Sequence, residues 1–413
     1  MPMKPEYYTL ANGIRLVHIP SASPVAHLGV FINTGTRDEP EGKAGLAHFI
    51  EHMIFKGTRR RKAFHVLNRL ESVGGELNAF TTKEYTSIYA SFLNTWYPRA
   101  MELIADIIFH SVFPEREIGK EKDVVIEEIN SYRDNPSELI YDEFESALFR
   151  GHPMGRPILG EPDDVRAFTR DDITGFFARQ YASDNMVICS VGAIGFSRLV
   201  KYLEHHFGVS NGTSTLSLRT KSDEYIPFRE IQQRQTYQSH SIIGNRAYAR
   251  SDGRRLTFGL LNNILGGPGM NSRLNMSIRE KYGYAYSIDS FYFPYSDTGV
   301  WGIYMGTDNG STQKAVDLVM KELNKLRQVR LGSLQLSQAR KQYRGQIAIA
   351  FDNNVNVMLS GGRGYLHDGK LLSVEDIFDR IDSVTDSHIL EVANEIFNPE
   401  MISTLTYTST WNS

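Results

Sequence analysis

The chain has 413 residues, 41% hydrophobic and 23% charged, values close to those of ordinary folded proteins, which argues against a disordered, coiled-coil or membrane-embedded chain. That length exceeds what one hydrophobic core normally fills, so two domains of roughly 200 residues are expected. With 45 basic and 48 acidic residues the net charge is −3 and no long single-sign run occurs, so neither nucleic acid nor a membrane surface is expected as partner.

The opening residues, MPMKPEYYTLANGIRLVHIP, contain no apolar signal core and no Arg/Ser-rich amphipathic stretch. Nowhere do eighteen consecutive apolar residues occur. A cytoplasmic chain is the expectation. GIRLVHI reads as a strand, and EGKAGLAHFIEHMIFKGT as a helix entered from a Gly-containing loop and ending near Gly57, with Leu46, Phe49, Ile50 and Met53 as its packing face. The basic cluster Arg59-Arg60-Arg61-Lys62 that follows reads as a solvated loop.

TSIYASF is β-rich, Ala100 to Ile108 has helical period, and EREIGKEKDVVIEEINSY from Glu115 is a charged helix. Cys189, the single cysteine, sits in the apolar run Met186-Val187-Ile188-Cys189 and reads as a buried thiol. Ser210 to Thr215 is a polar small-residue stretch that reads as a linker, giving domains 1–209 and 226–413 joined through 210–225. In the second half VWGIYMG and STLTYTS are β-rich, while Gly266-Gly267-Pro268-Gly269 lacks the lysine of a phosphate-binding loop and reads as a turn.

The halves match each other. AMELIADII from Ala100 aligns with AVDLVMKEL from Ala315, and EIGKEKDVVIEEI from Glu117 with LSQARKQYRGQI from Leu336. Two long related units follow rather than a solenoid. Each is expected to be an α+β domain with a largely antiparallel sheet covered on one face by helices.

His48 and His52 are four apart on the first helix, so their imidazoles project from one side about 5–6 Å apart at Cβ and can share one ion. Zinc accepts imidazole nitrogens and carboxylate oxygens, and a catalytic site leaves its fourth position for water. Glu51, one turn beyond His48, is the natural general base. The Glu115 helix supplies further carboxylates: Glu121 and Glu128 lie two turns apart on one face, and Glu127 points about 100° away. Either of the pair could coordinate while the other holds a ligand histidine or the water. Opposite His48 and His52 the second half reads LNNILGGPG, without a histidine, so only the first half can bind the metal.

NGIRLV, GLAHFIEHMIFKGT, GGELNAFTTKEYTSIY, the carboxylate helix, HPMGRPILG and SIREKYGYAYS together resemble the insulinase or pitrilysin-type metallopeptidases, which carry the inverted H-x-x-E-H signature, and among them the processing-peptidase-like bacterial homodimers. The likeness spans nearly the whole chain. It implies one zinc per chain held by His48, His52 and Glu128, with Glu121 as a supporting glutamate. It also implies an edge strand, Gly75 to Thr81, on which an extended peptide lies as an added strand against Asn78, Ala79 and Phe80. Arg279 and Tyr286 match the pair that holds the scissile carbonyl and its developing charge.

Such a chain forms half of a clam-shell. Because this one carries both the metal motif and the Arg/Tyr pair, a homodimer is expected. The alternative implied by the same family is a non-catalytic scaffold or peptide-binding subunit, whose motifs are usually broken; here they are intact.

Overall fold

The computed structural model describes residues 4–209, 219–222 and 225–409, so most of the expected linker, Ser210 to Thr215 included, lies outside the described residues. The first half runs β1 (Glu6–Thr9), β2 (Arg15–Pro20), β3 (Val25–Ile32), α1 (Leu46–Met53), α2 (Ala63–Glu71), β4 (Glu76–Thr81) and β5 (Thr86–Leu93). It continues through α3 (Tyr97–His110), α4 (Glu115–Arg133), α5 (Pro136–Leu148), α6 (Pro162–Ala167), α7 (Arg170–Gln180), β6 (Met186–Gly192) and α8 (Phe196–Phe207).

The second half runs β7 (Arg229–Arg234), β8 (Ser239–Ala247), α9 (Arg255–Gly266), a π-helix (Asn275–Glu280), β9 (Ser287–Pro294) and β10 (Gly299–Thr307). Helices α10 (Thr312–Gln328), α11 (Ser333–Asp352), α12 (Asn354–Asp368), α13 (Val374–Asp382) and α14 (Asp386–Ile396) lead to β11 (Ser403–Ser409). Gly266 closes α9 and Gly267 to Gly269 form its exit, as a turn reading requires.

The fold is mixed α and β, with two sheets flanked by helices. The six-stranded sheet has the order β1-β2-β6-β3-β5-β4 and the five-stranded sheet β7-β11-β8-β10-β9. Without β1 the two orders correspond strand for strand. So do the pairings: β2 with β6 and β7 with β11 are parallel, and the remaining neighbours are antiparallel. In this correspondence α3 stands where α10 stands and α4 where α11 stands, as the Ala100/Ala315 and Glu117/Leu336 matches expect.

The compact units interleave along the chain. One takes the chain up to Asn130, Arg156–Arg219 and Ile349–Leu372; the other takes Ser131–Gly155, Thr220–Ala348 and the chain from Ser373 onward. The equivalent helices α5 and α12 are therefore exchanged between the halves. This corrects the expectation of sheets covered on one face.

In the first unit the even-numbered residues Leu28, Val30, Ile88 and Ala90 face the main core with Phe49, Ile104 and Leu199, while Val17, Phe31, Val187 and Cys189 face Met358, Tyr365 and Leu366 of α12. In the second unit Trp301 and Ile303 face the main core, and Ile242, Val300 and Tyr407 face Ile140, Phe144 and Leu148 of α5. All seven residues of β6 are buried, because a strand covered on both faces loses the inside/outside alternation. Cys189 is accordingly inert: burial raises its thiol.

Helix α12 seats closely. Gly361 and Gly362 are buried, and a Cβ on Gly362 would run into the Phe31 ring. Gly362→Ala is expected to lower stability by about 1–3 kcal/mol through overpacking. A thermal midpoint equal to that of the parent chain would show that α12 does not bear on Phe31.

Arg61 is not solvated as the basic-cluster reading expects. It pairs with Glu102 at 2.7 Å and with the fully buried Asp106 at 2.6 Å, while Arg59 and Lys62 are exposed. Asp106 also accepts from Thr58 Oγ1 at 2.8 Å, so the cluster's third residue neutralises a buried carboxylate, which would otherwise be costly.

Candidate metal centre

Leu46, Phe49, Ile50 and Met53 are buried at 1% exposure or less, so α1 packs through the face its sequence marks out. That fixes where the remaining side chains point. His48 and His52 emerge together with ring centroids 4.7 Å apart. Helix α4 passes opposite and presents Glu121 and Glu128 from its two-turn face.

His52 Nε2 lies 3.4 Å and His48 Nε2 3.8 Å from Glu128 Oε2. The donor atoms of these three side chains all fall within 4.8 Å of one another, the one such group of three or more among the described residues. Two bonds of about 2.0–2.2 Å meeting at a tetrahedral angle separate their donor atoms by roughly 3.4 Å, so the spacing suits an ion between them.

The surroundings fit a cation as well. Burial, with His52 beside it, pushes His48 down to about 4, which keeps its imidazole neutral, and its Nδ1 is buried without a hydrogen-bond partner in the structure. For His52 burial works downward, but hydrogen bonds to Glu121 and Glu128 outweigh it and carry the group up to about 9. Glu128 is held below the ordinary carboxylate range, chiefly by its hydrogen bond to His52. Positive charge is thus favoured between His52 and Glu128.

Glu121 does not join the donor group. Its Oε1 lies 2.9 Å from His52 Nδ1 and its Oε2 accepts from Lys56 Nζ at 2.6 Å. With Nδ1–H donating to Glu121, the ring is oriented so that Nε2 faces Glu128, the usual way a carboxylate fixes a ligand histidine.

Glu51, on the same helix as His48 and His52, reaches the six-stranded sheet. Its Oε2 accepts from Thr81 Oγ1 at 2.7 Å, and burial raises its pKa. Thr81 ends β4, which is the terminal strand of the six-stranded sheet.

The Thr82 N–H donates to Tyr85 O at 2.9 Å at the hairpin tip. Antiparallel alternation carries that pattern back along β4, so Phe80 and Asn78 bond to β5 while Thr81, Ala79 and Leu77 turn their N–H and C=O to the open edge. Asn78 is exposed, and Phe80 stacks edge-on against Tyr85 and Tyr89.

Arg279 and Tyr286 belong to the second unit. Arg279 is exposed near the end of the π-helix, and its Nη1 donates to Asn275 Oδ1 at 3.4 Å. Tyr286 just precedes β9; its hydroxyl donates to both Asp308 oxygens at 3.2 Å, and that carboxylate raises the hydroxyl's pKa.

Lys56 and Thr81 were not legible as site residues. The helix ends at Met53 and not near Gly57 as its sequence suggests, so Lys56 lies beyond it and helical spacing does not place its side chain, while Thr81 reaches Glu51 only through the sheet's position against α1.

A His-x-x-Glu-His helix set against a carboxylate helix defines an inverted-motif metal site of the kind found in zinc peptidases. Residues 16–162 match the family model described as Insulinase (Peptidase family M16), and residues 167–343 match Peptidase M16 inactive domain. An uncharacterized zinc protease of Streptomyces coelicolor is 32% identical over 94% of this chain and 86% of its own length. The uncharacterized zinc protease YmxG of Bacillus subtilis is likewise 32% identical, over 95% of this chain and 96% of its own.

Among solved structures, a protease from Helicobacter pylori matches with TM-score 0.91 at 22% identity, covering 99% of this chain and all of the other. A structure titled peptidase M16 inactive domain from Pseudomonas fluorescens matches with TM-score 0.93 at 18% identity, covering 100% and 99%. The chain belongs to the insulinase family of peptidases. No helix among the described residues is long and apolar enough to cross a membrane.

Proposed function

We propose that this chain is a zinc-dependent endopeptidase that hydrolyses extended or unfolded peptides. The observation that carries the reading is the convergence of His48, His52 and Glu128 beside a buried carboxylate, Glu51, that is tied to the last residue of an open strand edge. His48 Nε2, His52 Nε2 and Glu128 Oε2 would hold one zinc per chain, with Glu121 and Lys56 keeping the His52 ring in orientation. Zinc, when bound, supplies Lewis acidity toward a carbonyl and a water.

Glu51 takes the proton from that water and returns it to the leaving amine; burial raises its pKa, which makes it a stronger proton acceptor than an exposed carboxylate. Thr81 holds the carboxylate in place through its hydroxyl. The substrate backbone adds to β4 as a further strand, bonding to the outward N–H and C=O of Ala79 while the Asn78 amide and Phe80 ring contact its side chains. Strand addition needs an extended chain, which selects unfolded segments over folded ones. Arg279 and Tyr286 take the roles of holding the substrate carbonyl and donating to the charge that develops on it.

The protein acts as a homodimer with two equivalent sites, since the chain carries both residue sets and needs no specialised partner subunit. Light scattering on the purified protein is expected to give about twice 46.8 kDa. That protein alone should cleave a mixed peptide library, lose the activity to a chelator and regain it with zinc. An active monomer would overturn the dimer, and a chain inert in the presence of zinc would overturn the enzyme.

A further inference from the structure

The segments Gly35 to Glu39 and Arg156 to Gly160 take no part in the chemistry above, yet both meet at the start of the metal-bearing helix. Glu39 is 5% exposed, and its carboxylate accepts from Gly45 N at 3.0 Å and from Ala47 N at 2.8 Å. These are orphan N–H groups at the entry of α1; burial raises the Glu39 carboxyl to about 8, and the two N–H groups with Arg156 and Lys83 pull it only part of the way back.

Behind them two glycines touch back to back. Gly45 has φ +88 and Gly160 φ +80, and a Cβ on Gly45 would lie 2.6 Å from Leu159 O and 2.7 Å from Gly160 Cα. Arg156 Nη1 donates to Glu39 O, and Lys83 Nζ donates to Arg156 O.

The same turn is fastened to the tip of the β4–β5 hairpin. Thr36 N donates to Thr82 O at 3.1 Å and Arg37 N to Lys83 O at 2.9 Å, while Arg37 pairs with Glu84 at 2.7 Å. Arg219 adds a two-point contact to Asp38 at 2.7 and 2.8 Å and donates to Glu84 O at 2.7 Å. One short turn therefore grips both the helix that carries His48, Glu51 and His52 and the edge strand that carries Ala79 and Thr81.

We propose that Glu39 is a positioning residue: from the frame formed by residues 35–39, 82–85 and 156–160 it sets the axial position and rotation of α1 relative to β4. The inference rests on the zinc-peptidase reading. Its consequence is that the Glu51–Thr81 contact and the His48/His52 spacing depend on a carboxylate that touches neither metal nor substrate. Displacements of about 1 Å at a reacting group cost on the order of a hundredfold in rate, so a small shift of α1 is sufficient.

Glu39→Gln keeps the volume but replaces one of the two accepting oxygens by an amide N–H₂, so only one of the Gly45 and Ala47 N–H groups keeps its acceptor. The experiment measures kcat, KM and the visible absorption of the cobalt-substituted protein for the wild type, Glu39→Gln, Glu39→Asp and Gly362→Ala. The last serves as a comparison in which stability is lost away from α1.

Glu39→Gln is expected to lower kcat at least tenfold with KM within about twofold, and to shift the cobalt bands; Glu39→Asp should recover part of kcat. Gly362→Ala should lose thermal stability while keeping kcat and the cobalt spectrum. Should Glu39→Gln fail to fold, Glu39→Asp carries the test through the same kcat and spectral shift, intermediate in size. A Glu39 variant that keeps wild-type kcat and spectrum and loses only stability overturns the positioning role. A wild type that binds no cobalt or zinc and cleaves nothing overturns the zinc-peptidase reading, and with it this one.

Discussion

Replacing Glu51 by Gln is expected to lower peptide hydrolysis by about 10²–10⁴ while one zinc remains bound per chain, since general base catalysis contributes on that order. The substitution leaves His48, His52 and Glu128 untouched and keeps an oxygen that can accept from Thr81 Oγ1, so α1 and β4 stay in place. What it removes is the group that accepts the water's proton. KM should change little, because Glu51 contributes to the barrier and not to strand addition. Steady-state kinetics beside metal analysis on the same sample checks this. Loss of zinc together with activity would make Glu51 a ligand and overturn the assignment.

Glu128→Gln is the second substitution with a large expected effect, and it is informative only beside Glu121→Gln. Glu128 Oε2 faces Nε2 of both histidines, so its loss should strip zinc, weakening affinity by orders of magnitude and abolishing hydrolysis. Glu121 faces the opposite nitrogen of His52 and Lys56 Nζ. Removing its charge should weaken zinc by the 10–100-fold typical of a group that orients a ligand. Equilibrium dialysis of zinc against both variants separates the two roles. Retention by Glu128→Gln with loss in Glu121→Gln would reverse them.

The parts of this molecule that were legible in its sequence are those governed by local periodicity. The apolar positions Leu46, Phe49, Ile50 and Met53 dictate which face of α1 is buried, and that alone puts His48 and His52 on a common side. Two-turn spacing does the same for Glu121 and Glu128, and the structure brings all four together. The match of Ala100 with Ala315 anticipates the two sheets of corresponding strand order. The edge position of β4 came from the family resemblance, not from its pattern.

What was not legible depends on chain segments far apart. The run Met186-Val187-Ile188-Cys189 signals burial on both sides, but nothing local says that α12, more than 160 residues later, supplies the second cover. Arg61 looked solvated because its partners Glu102 and Asp106 lie on α3, some forty residues further along the chain. Glu39, Lys56 and Thr81 escaped for the same reason: each acts on α1 or α4 through a contact that no spacing rule encodes.

The central claim, one zinc per chain serving peptide hydrolysis through His48, His52 and Glu128, is tested most directly by returning metal to the stripped protein. Purified chain is dialysed against chelator, zinc is added back in measured fractions, and hydrolysis of an extended peptide is followed at each step. The account predicts no hydrolysis in the stripped protein, a linear return with added zinc, and saturation at one zinc per chain. Hydrolysis that persists without zinc, or full occupancy at one zinc per chain with no hydrolysis at all, would contradict it.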